Sequence, residues 1–295
     1  MPRGIVPEVT NALSFDVEDY FQVSAFEGSV RREDWFKFES RVAANTRRIL
    51  EILDRGGARA TFFVLGWVAE HHPDVVREIA RRGHEVASHG YSHRLVYGMT
   101  PDEFRDDVRR SKELLEGIAG RPVLGYRAPS FSIVSKSLWG LQVLVDLGFR
   151  YDSSVFPVRH DRYGIPSHPR FPHRMATAGG GRSGEIIEFP MTTARWGGLQ
   201  LPVAGGGYLR LLSYRYIRWG LRRVNGEGQP GVFYLHPWEL DPGQPRLPCG
   251  WKTRIRHYAG LGRTAGSLER LLGDFRFAPV ADVLRERGLL AREGA

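Results

Sequence analysis

Residues 11–20 read Asn-Ala-Leu-Ser-Phe-Asp-Val-Glu-Asp-Tyr, and this segment guides the interpretation of the whole sequence. Its first part, residues 11–17, is a short apolar run typical of a buried β-strand. Three acidic residues, Asp16, Glu18 and Asp19, lie at the end of this run. Carboxylates are costly to bury beside an apolar strand, so we expect a functional site where the strand ends.

Beyond this first strand, apolar strand patterns alternate with helical patterns. The clearest helix follows Thr100, because Pro101 suits a first turn and Glu103 completes a capping box. Such alternation predicts a parallel sheet, open or closed into a barrel, and about seven strand–helix units favour the barrel. Functional side chains in these folds lie at the C-terminal ends of strands. The strand patterns lie at 11–17, 58–65, 84–88, 123–126, 149–152, 185–189, 199–203 and 231–235.

The length of 295 residues suits one barrel-sized domain, and we find no internal repeat or linker. We therefore expect a single domain over residues 1–295. Residues 157–184 lack periodicity and are rich in proline, histidine, arginine and glycine. This stretch predicts a long loop, which in a compact fold is usually functional or mobile.

The formal charge is +9, and only four of the 42 basic residues are lysines. The arginines are spread along the chain with acids nearby, which disfavours a nucleic-acid partner. Cys249 is the only cysteine, which excludes an internal disulfide and a multi-cysteine metal site. Residues 1–12 show no secretory signal pattern, and no apolar run is long enough to span a membrane. We expect a cytoplasmic protein without a transmembrane segment.

Two histidines four positions apart, His89 and His93, follow the strand pattern at 84–88. This spacing can bring both imidazoles to one cation. Two histidines and one carboxylate leave open positions for water and substrate. Strand alternation places Glu18 on the same face as Asp16, which favours Glu18 as the third ligand. Asp19 stays open as the alternative.

Single polar residues mark the ends of three further strand patterns. Arg127 is followed by Pro129, which fixes the local backbone, and an arginine held against a carboxylate keeps that group ionised and oriented. Asp152 ends the next strand pattern, where it could instead serve as a turn residue. His236 follows the strand pattern at 231–235 and is a candidate general acid.

Taken together, these motifs resemble the polysaccharide deacetylase family, also called the NodB homology domain or carbohydrate esterase family 4. Part of the sequence is most similar to the subgroup associated with bacterial exosortase and exopolysaccharide loci, namely Ser14–Phe26 and the segment 236–239. The family resemblance rests on Ser14-Phe15-Asp16, His89-Gly90-Tyr91-Ser92-His93, Arg127-Ala128-Pro129, the Asp152 segment and Leu235-His236.

The resemblance implies a distorted (β/α)7 barrel and a divalent metal ion, most often Zn²⁺, with Co²⁺, Ni²⁺ or Mn²⁺ as alternatives. By motif position, His89 and His93 become metal ligands, Asp16 the general base, Arg127 its orienting partner and His236 the general acid. The implied activity is hydrolysis of N-acetyl groups on N-acetylhexosamine units of a bacterial exopolysaccharide or its precursor, with release of acetate.

The resemblance further implies a core at about residues 10–155 plus 228–240. A subgroup-specific region at about 155–290 would be woven into this core. We expect four residues to contact substrate: Pro129, Asp152, Tyr208 and Trp238. The family usually has two adjacent aspartates, whereas here Val17 separates Asp16 from Glu18. The glycine run 205–207 predicts a tight turn or, as the alternative, an anion-binding helix start.

Two other functions stay open at this point. One is an amidohydrolase of small cyclic amides or imides, and the other is a non-catalytic glycan-binding module. An open aromatic groove of Trp196, Tyr208 and Trp238 would favour a polymeric glycan, and a closed pocket would favour a small molecule. The arginine excess also suggests peripheral contact with a membrane or a lipid-linked precursor.

Overall fold

The computed structural model describes residues 9–160, 162–179 and 182–291. The strands of these residues are β1 (Asn11–Val17), β2 (Thr61–Val64), β3 (Glu85–Ser88), β4 (Gly125–Tyr126), β5 (Tyr151–Asp152), β6 (His173–Gly179), β7 (Arg182–Glu188), β8 (Thr193–Trp196), β9 (Leu199–Pro202), β10 (Val232–Leu235) and β11 (Phe277–Ala278). The α-helices are α1 (Val42–Arg55), α2 (Gly66–His71), α3 (Pro73–Arg81), α4 (Pro101–Ala119), α5 (Trp139–Asp146), α6 (Gly206–Leu211), α7 (Tyr214–Gly226), α8 (Trp251–Tyr258), α9 (Thr264–Asp274) and α10 (Val280–Glu286).

The main sheet is mostly parallel, which confirms the predicted α/β class. Its strand order is β10-β1-β2-β3-β4-β5-β7-β6, and β11 pairs with β1. Every pair from β10 through β7 is parallel, which gives the seven strands that a (β/α)7 barrel requires. Within the described ranges, no hydrogen-bonded strand pair joins the two ends of this row.

All residues of β1 are buried. Alternate side chains point to opposite sides of the strand, so apolar residues pack on one side and Asp16 lies on the other. Leu13, Phe15 and Val17 enter the larger apolar core, where Phe15 stacks on Phe62 with ring centroids 5.1 Å apart. Each such side chain contributes about 1.5–3 kcal/mol when fully buried. The side chain of Asp16, one position away, therefore faces the side of the sheet opposite to this core.

Helix α4 forms as its sequence predicts. Thr100 accepts a hydrogen bond from the Glu103 backbone N–H, and the Glu103 carboxylate accepts one from the Thr100 N–H. Gly120 ends the helix in the left-handed conformation, with φ 66°. The capping box is therefore confirmed, and α4 packs against α2 and α5 along the outside of the sheet.

The loop predicted over residues 157–184 is wrong in its second half. Strand β6 pairs with β7 in an antiparallel hairpin, for example Met175 opposite Ile186. Small and polar residues fill β6, because it lies at the edge of the sheet, and this composition hides its strand character. Residues 161, 180 and 181 of the predicted loop lie outside the described residues.

Strands β8 and β9 form a separate antiparallel hairpin beside α7. The hydroxyl of Tyr216 on α7 donates to the Pro202 carbonyl at the end of β9, over 3.0 Å. Gly220 lets Val203 approach the helix, because a Cβ at this glycine would overlap the valine side chain. In the described part of the chain, no helix combines the length and hydrophobicity needed to cross a bilayer.

Candidate active site

Four parallel strands present polar side chains at one edge of the sheet. Asp16 lies near the end of β1, His89 follows β3, Arg127 follows β4 and His236 follows β10. Because the C-terminal ends of parallel strands meet at the same edge, residues far apart in sequence become neighbours there. Glu18 lies at the same edge, directly after β1 and two positions beyond Asp16.

Three potential metal ligands converge at this edge. One ligand atom each of Glu18, His89 and His93 lies within 4.8 Å of the other two, and all three residues are buried. Glu18 Oε2 is 2.6 Å from His93 Nε2, so the carboxylate and the imidazole are in direct contact. His89 Nδ1 is 2.8 Å from the Arg127 carbonyl, and this bond orients the ring so that its other nitrogen remains available.

The protonation states of Glu18 and His89 suit a divalent cation. Burial raises the pKa of Glu18, but the charge of His93, its hydrogen bond and the other histidines outweigh burial and lower the pKa to about 2. Burial lowers the pKa of His89 to about 4, so its imidazole is neutral near pH 7. An ionised carboxylate and a neutral imidazole are donors that zinc commonly binds. Glu18, His89 and His93 therefore fit a metal with three protein ligands.

Asp19, the alternative third ligand, lies outside this cluster. Its Oδ2 accepts hydrogen bonds from the Ser40 hydroxyl at 2.8 Å and from the backbone N–H groups of Arg41 and Val42 at 2.9 and 3.2 Å. These groups begin helix α1, whose N-terminal donors need acceptors. The expectation that Asp19 could ligate the metal is thus corrected: its carboxylate caps a helix.

Arg127 fixes Asp16 in one orientation. The Arg127 side chain is fully buried, and its Nη1 donates to Asp16 Oδ1 at 2.7 Å and to the Ser14 hydroxyl at 2.8 Å. Its Nε donates to the Ser153 carbonyl at 3.0 Å, and its guanidinium lies over the Phe63 ring. One oxygen of Asp16 is therefore held by the arginine, and the other faces His236 Nε2 at 3.9 Å.

His236 is supported by two residues that the sequence analysis missed. Glu239 Oε2 lies 3.0 Å from His236 Nδ1, and Arg210 Nε donates to Glu239 Oε1 at 2.8 Å. Burial lowers the pKa of His236, but the hydrogen bond and charge of Glu239, with the charges of Glu18 and Asp16, raise it to about 9. The ring is thus protonated near pH 7, and its Nε2 is 3.7 Å from Glu18 Oε1.

The same chain of contacts holds Glu239 ionised. Burial raises the pKa of Glu239, but the positive charges of Arg210 and His236 outweigh it and lower the pKa to about 2. Arg210 in turn donates to the carbonyls of Arg256, His257 and Ala259, which anchors it from the opposite side. His236 is therefore oriented by a buried ionic chain that reaches into the C-terminal part of the protein.

The glycine run at 205–207 has a steric role. A Cβ on Gly206 would overlap the Glu239 carboxylate, and one on Gly205 would lie 2.6 Å from the Tyr234 ring. Gly205 also has φ 100°, a conformation that other residues rarely adopt. The run lies at the start of α6, and because it carries no side chains it admits the Glu239 carboxylate that positions His236.

Replacing Gly206 with alanine is expected to lower kcat by about 10- to 100-fold, because a shift of about 1 Å in a supporting group can cost that much. The new methyl group must displace Glu239 and loosen His236. Gly117→Ala on α4 is a control outside the groove, since a Cβ at Gly117 also meets no atom within 4 Å. Steady-state kinetics of both variants test this, and equal kcat values would contradict the steric account.

A groove of about 510 Å³ contains the cluster, Asp16 and His236. Its volume lies in the range of about 300–1,000 Å³ typical of ligand sites. Tyr208 and Trp238 line it as predicted, and the Trp238 indole N–H donates to Glu18 Oε1 at 3.3 Å. The exposed side chains Arg162, Leu211 and Arg256 also line it, so the groove opens to solvent.

Three sequence expectations about substrate contacts are not met in this groove. Pro129 and Asp152 are buried and do not line it. Asp152 accepts a hydrogen bond from the Ser154 hydroxyl at 2.6 Å, and burial raises its pKa to about 6. Trp196, offered as a groove aromatic, instead lies exposed at the end of the β8–β9 hairpin. Asp152, at the end of β5, therefore takes part in buried hydrogen bonds and does not face the groove.

The fold and the cluster define an α/β protein with a candidate metal centre, and two segments of the chain each match a family model. Residues 31–151 match the family model described as polysaccharide deacetylase. Residues 153–285 match a family described as a domain of unknown function, DUF3473. Asp16 and Glu18 precede the first match, whereas Arg210, His236 and Glu239 belong to the second.

Known relatives share part of this chain. A peptidoglycan-N-acetylglucosamine deacetylase of Bacillus cereus is 36% identical over 93 residues, which cover 32% of this chain and 34% of the relative. A chitooligosaccharide deacetylase of Rhizobium leguminosarum bv. trifolii is 30% identical over 97 residues, covering 32% of this chain and 45% of the relative. The matched segments thus span less than half of the length of these curated relatives.

A crystal structure from Mycobacterium smegmatis assigned as a polysaccharide deacetylase has the same fold. Its TM-score is 0.61 at 21% identity, and the alignment covers 98% of this chain and 95% of that chain. The likeness supports the barrel-like α/β architecture. At this identity the likeness shows the fold alone, and the similarity to polysaccharide deacetylases rests on residues 31–151 and on the partial matches to the relatives.

Proposed function

We propose that this protein is a metal-dependent hydrolase that removes N-acetyl groups from N-acetylhexosamine units of a glycan. One observation carries the proposal: Asp16, held by Arg127, and His236, held by Glu239, face the Glu18–His89–His93 cluster in one open groove. Amide hydrolysis needs a base for the attacking water and an acid for the leaving amine. The groove offers both, beside a set of metal ligands.

The proposed chemistry divides between these groups. A divalent cation held by Glu18, His89 and His93 would supply a Lewis acid for the acetamide carbonyl and an activated water. Asp16 accepts the proton of the attacking water, and Arg127 keeps its carboxylate oriented. His236 donates its Nε2 proton to the leaving nitrogen, while Glu239 holds the other side of the ring. Acetate and a free amino sugar are the products.

An aromatic side chain next to the cluster suits a sugar ring. Trp238 is only 5% exposed because it stacks on His236 and His257, so Tyr208, which is half-buried and lines the same groove, is the ring that can face a sugar. Aromatic rings present large apolar faces that bind the C–H faces of sugars. The groove opens to solvent, so a neighbouring sugar unit can extend beyond the hydrolysed one.

The proposal also specifies the natural substrate. The relatives are named for peptidoglycan and chitooligosaccharide, both of which contain N-acetylglucosamine. We assign this chain to a bacterial exopolysaccharide or its precursor, as the motifs at 14–26 and 236–239 suggest. Two arginines that line the groove, Arg162 and Arg256, favour a glycan with acidic groups. Zn²⁺ as the ion and a cytoplasmic location stay predictions.

A substrate panel tests the proposal against an amidohydrolase of small cyclic amides. The protein is incubated with N-acetylglucosamine oligomers, with an acidic N-acetylated oligosaccharide and with a cyclic imide, and acetate and free amine are measured. We expect acetate and amine in equal amounts from the oligosaccharides and no ring opening of the imide. Ring opening without acetate release would replace the proposed function by the amidohydrolase.

A further inference from the structure

A second surface with distinctive chemistry lies at the β8–β9 hairpin. Trp196 and Leu199 are paired across its last rung, and they are 63% and 59% exposed. Gly197 and Gly198 form the two-residue turn, with φ 53° and 81°. Turns of this kind need positive φ at both positions and match the twist of a hairpin. The hairpin is therefore built to hold two apolar side chains at its tip.

The exposed face of α7 adds positive charge beside this hairpin. Trp219 is 36% exposed, and Arg215, Arg222 and Arg223 are exposed at helix positions four before, three after and four after it. These spacings place the four side chains on one face. Within the described ranges, no carboxylate lies at ion-pair distance from these three arginines. The opposite face of α7 buries Ile217, Leu221 and Val224.

The hairpin and α7 form one continuous part of the structure. Tyr216 bonds to Pro202 at the base of the hairpin, and its ring centroid is 5.9 Å from that of Trp219. Acidic groups near α7 are already engaged: Asp274 pairs with Arg218, and Glu227 pairs with Arg170. The surface therefore combines an apolar hairpin tip with arginines that make no close ion pair among the described residues, and Asp274 is the carboxylate whose pKa Arg222 lowers.

We propose that the hairpin tip and the exposed face of α7 form a peripheral binding surface for anionic membranes. Tryptophan prefers the boundary between lipid headgroups and acyl chains. Arginines are attracted to anionic headgroups, and this attraction adds to the burial of apolar side chains. A bilayer with anionic lipids satisfies both features of the surface. The proposal does not depend on the proposed function.

Co-sedimentation of the full chain with vesicles tests this surface. The vesicles contain phosphatidylcholine alone or phosphatidylcholine with phosphatidylglycerol. We expect binding that requires phosphatidylglycerol and weakens with salt, since exposed charges are screened. Trp196→Ser/Leu199→Ser should weaken binding by about tenfold or more, because both side chains insert at the interface.

The arginines are tested with matched charge changes. Arg215→Gln/Arg222→Gln should abolish most of the preference for phosphatidylglycerol, whereas Arg77→Gln/Arg81→Gln on α3 changes the same number of charges and should not. The proposal is overturned by equal binding to both vesicle types, by no binding, or by an unaffected hairpin variant. It is also overturned if the hairpin variant dissociates a complex of two copies while vesicle binding persists.

Discussion

Replacing Asp16 with asparagine is expected to lower kcat by about 10²- to 10⁴-fold, the usual contribution of a general base. Asparagine keeps the size of the side chain but cannot accept the proton of the attacking water. Arg127 and Ser14 retain each other as partners, so the fold should survive. The measurement is the initial rate of acetate release from an N-acetylglucosamine tetramer at saturating substrate.

Two controls make this result specific to the base. Asp16 is not a member of the ligand cluster, so the variant should still bind a divalent metal. Asp106→Asn changes an exposed aspartate of α4 in the same way and should leave kcat unchanged. A D16N variant that keeps more than about a tenth of the wild-type kcat would contradict the role of Asp16.

The second prediction with a large effect distinguishes the roles of two neighbouring carboxylates, Glu18 and Asp19. Glu18→Gln is expected to weaken metal binding by at least about 100-fold, since even changes outside the ligands cost about 10- to 100-fold. Asp19→Asn should keep the metal. It should instead lower the free energy of unfolding by about 1–3 kcal/mol, because one of the Asp19 oxygens that accept backbone N–H bonds becomes an NH2 donor. Competition with a chromogenic chelator and urea unfolding measure the two effects.

The opposite result for these two variants would contradict the assignment of the ligands. If D19N lost the metal and E18Q kept it, the placement of the ligands would be wrong. The adjacent positions make each variant the control of the other, since both remove one buried negative charge. A loss of metal in both, without unfolding, would also contradict a cluster made of Glu18, His89 and His93.

Much of the architecture follows from local patterns in the sequence. The α/β alternation and the Thr100–Glu103 capping box depend on residues close in sequence, and the structure has both. The hairpin of β6 and β7 was not predicted, because an edge strand is only half covered and needs few apolar residues. The error came from equating low hydrophobicity with a loop.

Some residues of the site could likewise be predicted from the sequence, and others could not. His89, His93 and Asp16 were recognised because each follows or ends a strand pattern, and parallel strands bring such residues together. Glu239 had a weak signal, three positions after His236, where a short turn returns its carboxylate to the ring. Arg210 had none: its contact with Glu239 joins residues 29 positions apart, and only tertiary packing creates it.

Measuring bound metal and acetate release in one preparation tests the central claim most directly. The protein is stripped with a chelator, titrated with Zn²⁺, and assayed at each step on an N-acetylglucosamine tetramer. We predict that acetate release is absent without metal and rises in proportion to bound metal until Glu18, His89 and His93 are saturated. Acetate release that persists in the metal-free protein, or full metal binding with no acetate from any N-acetylated oligosaccharide, would contradict the account.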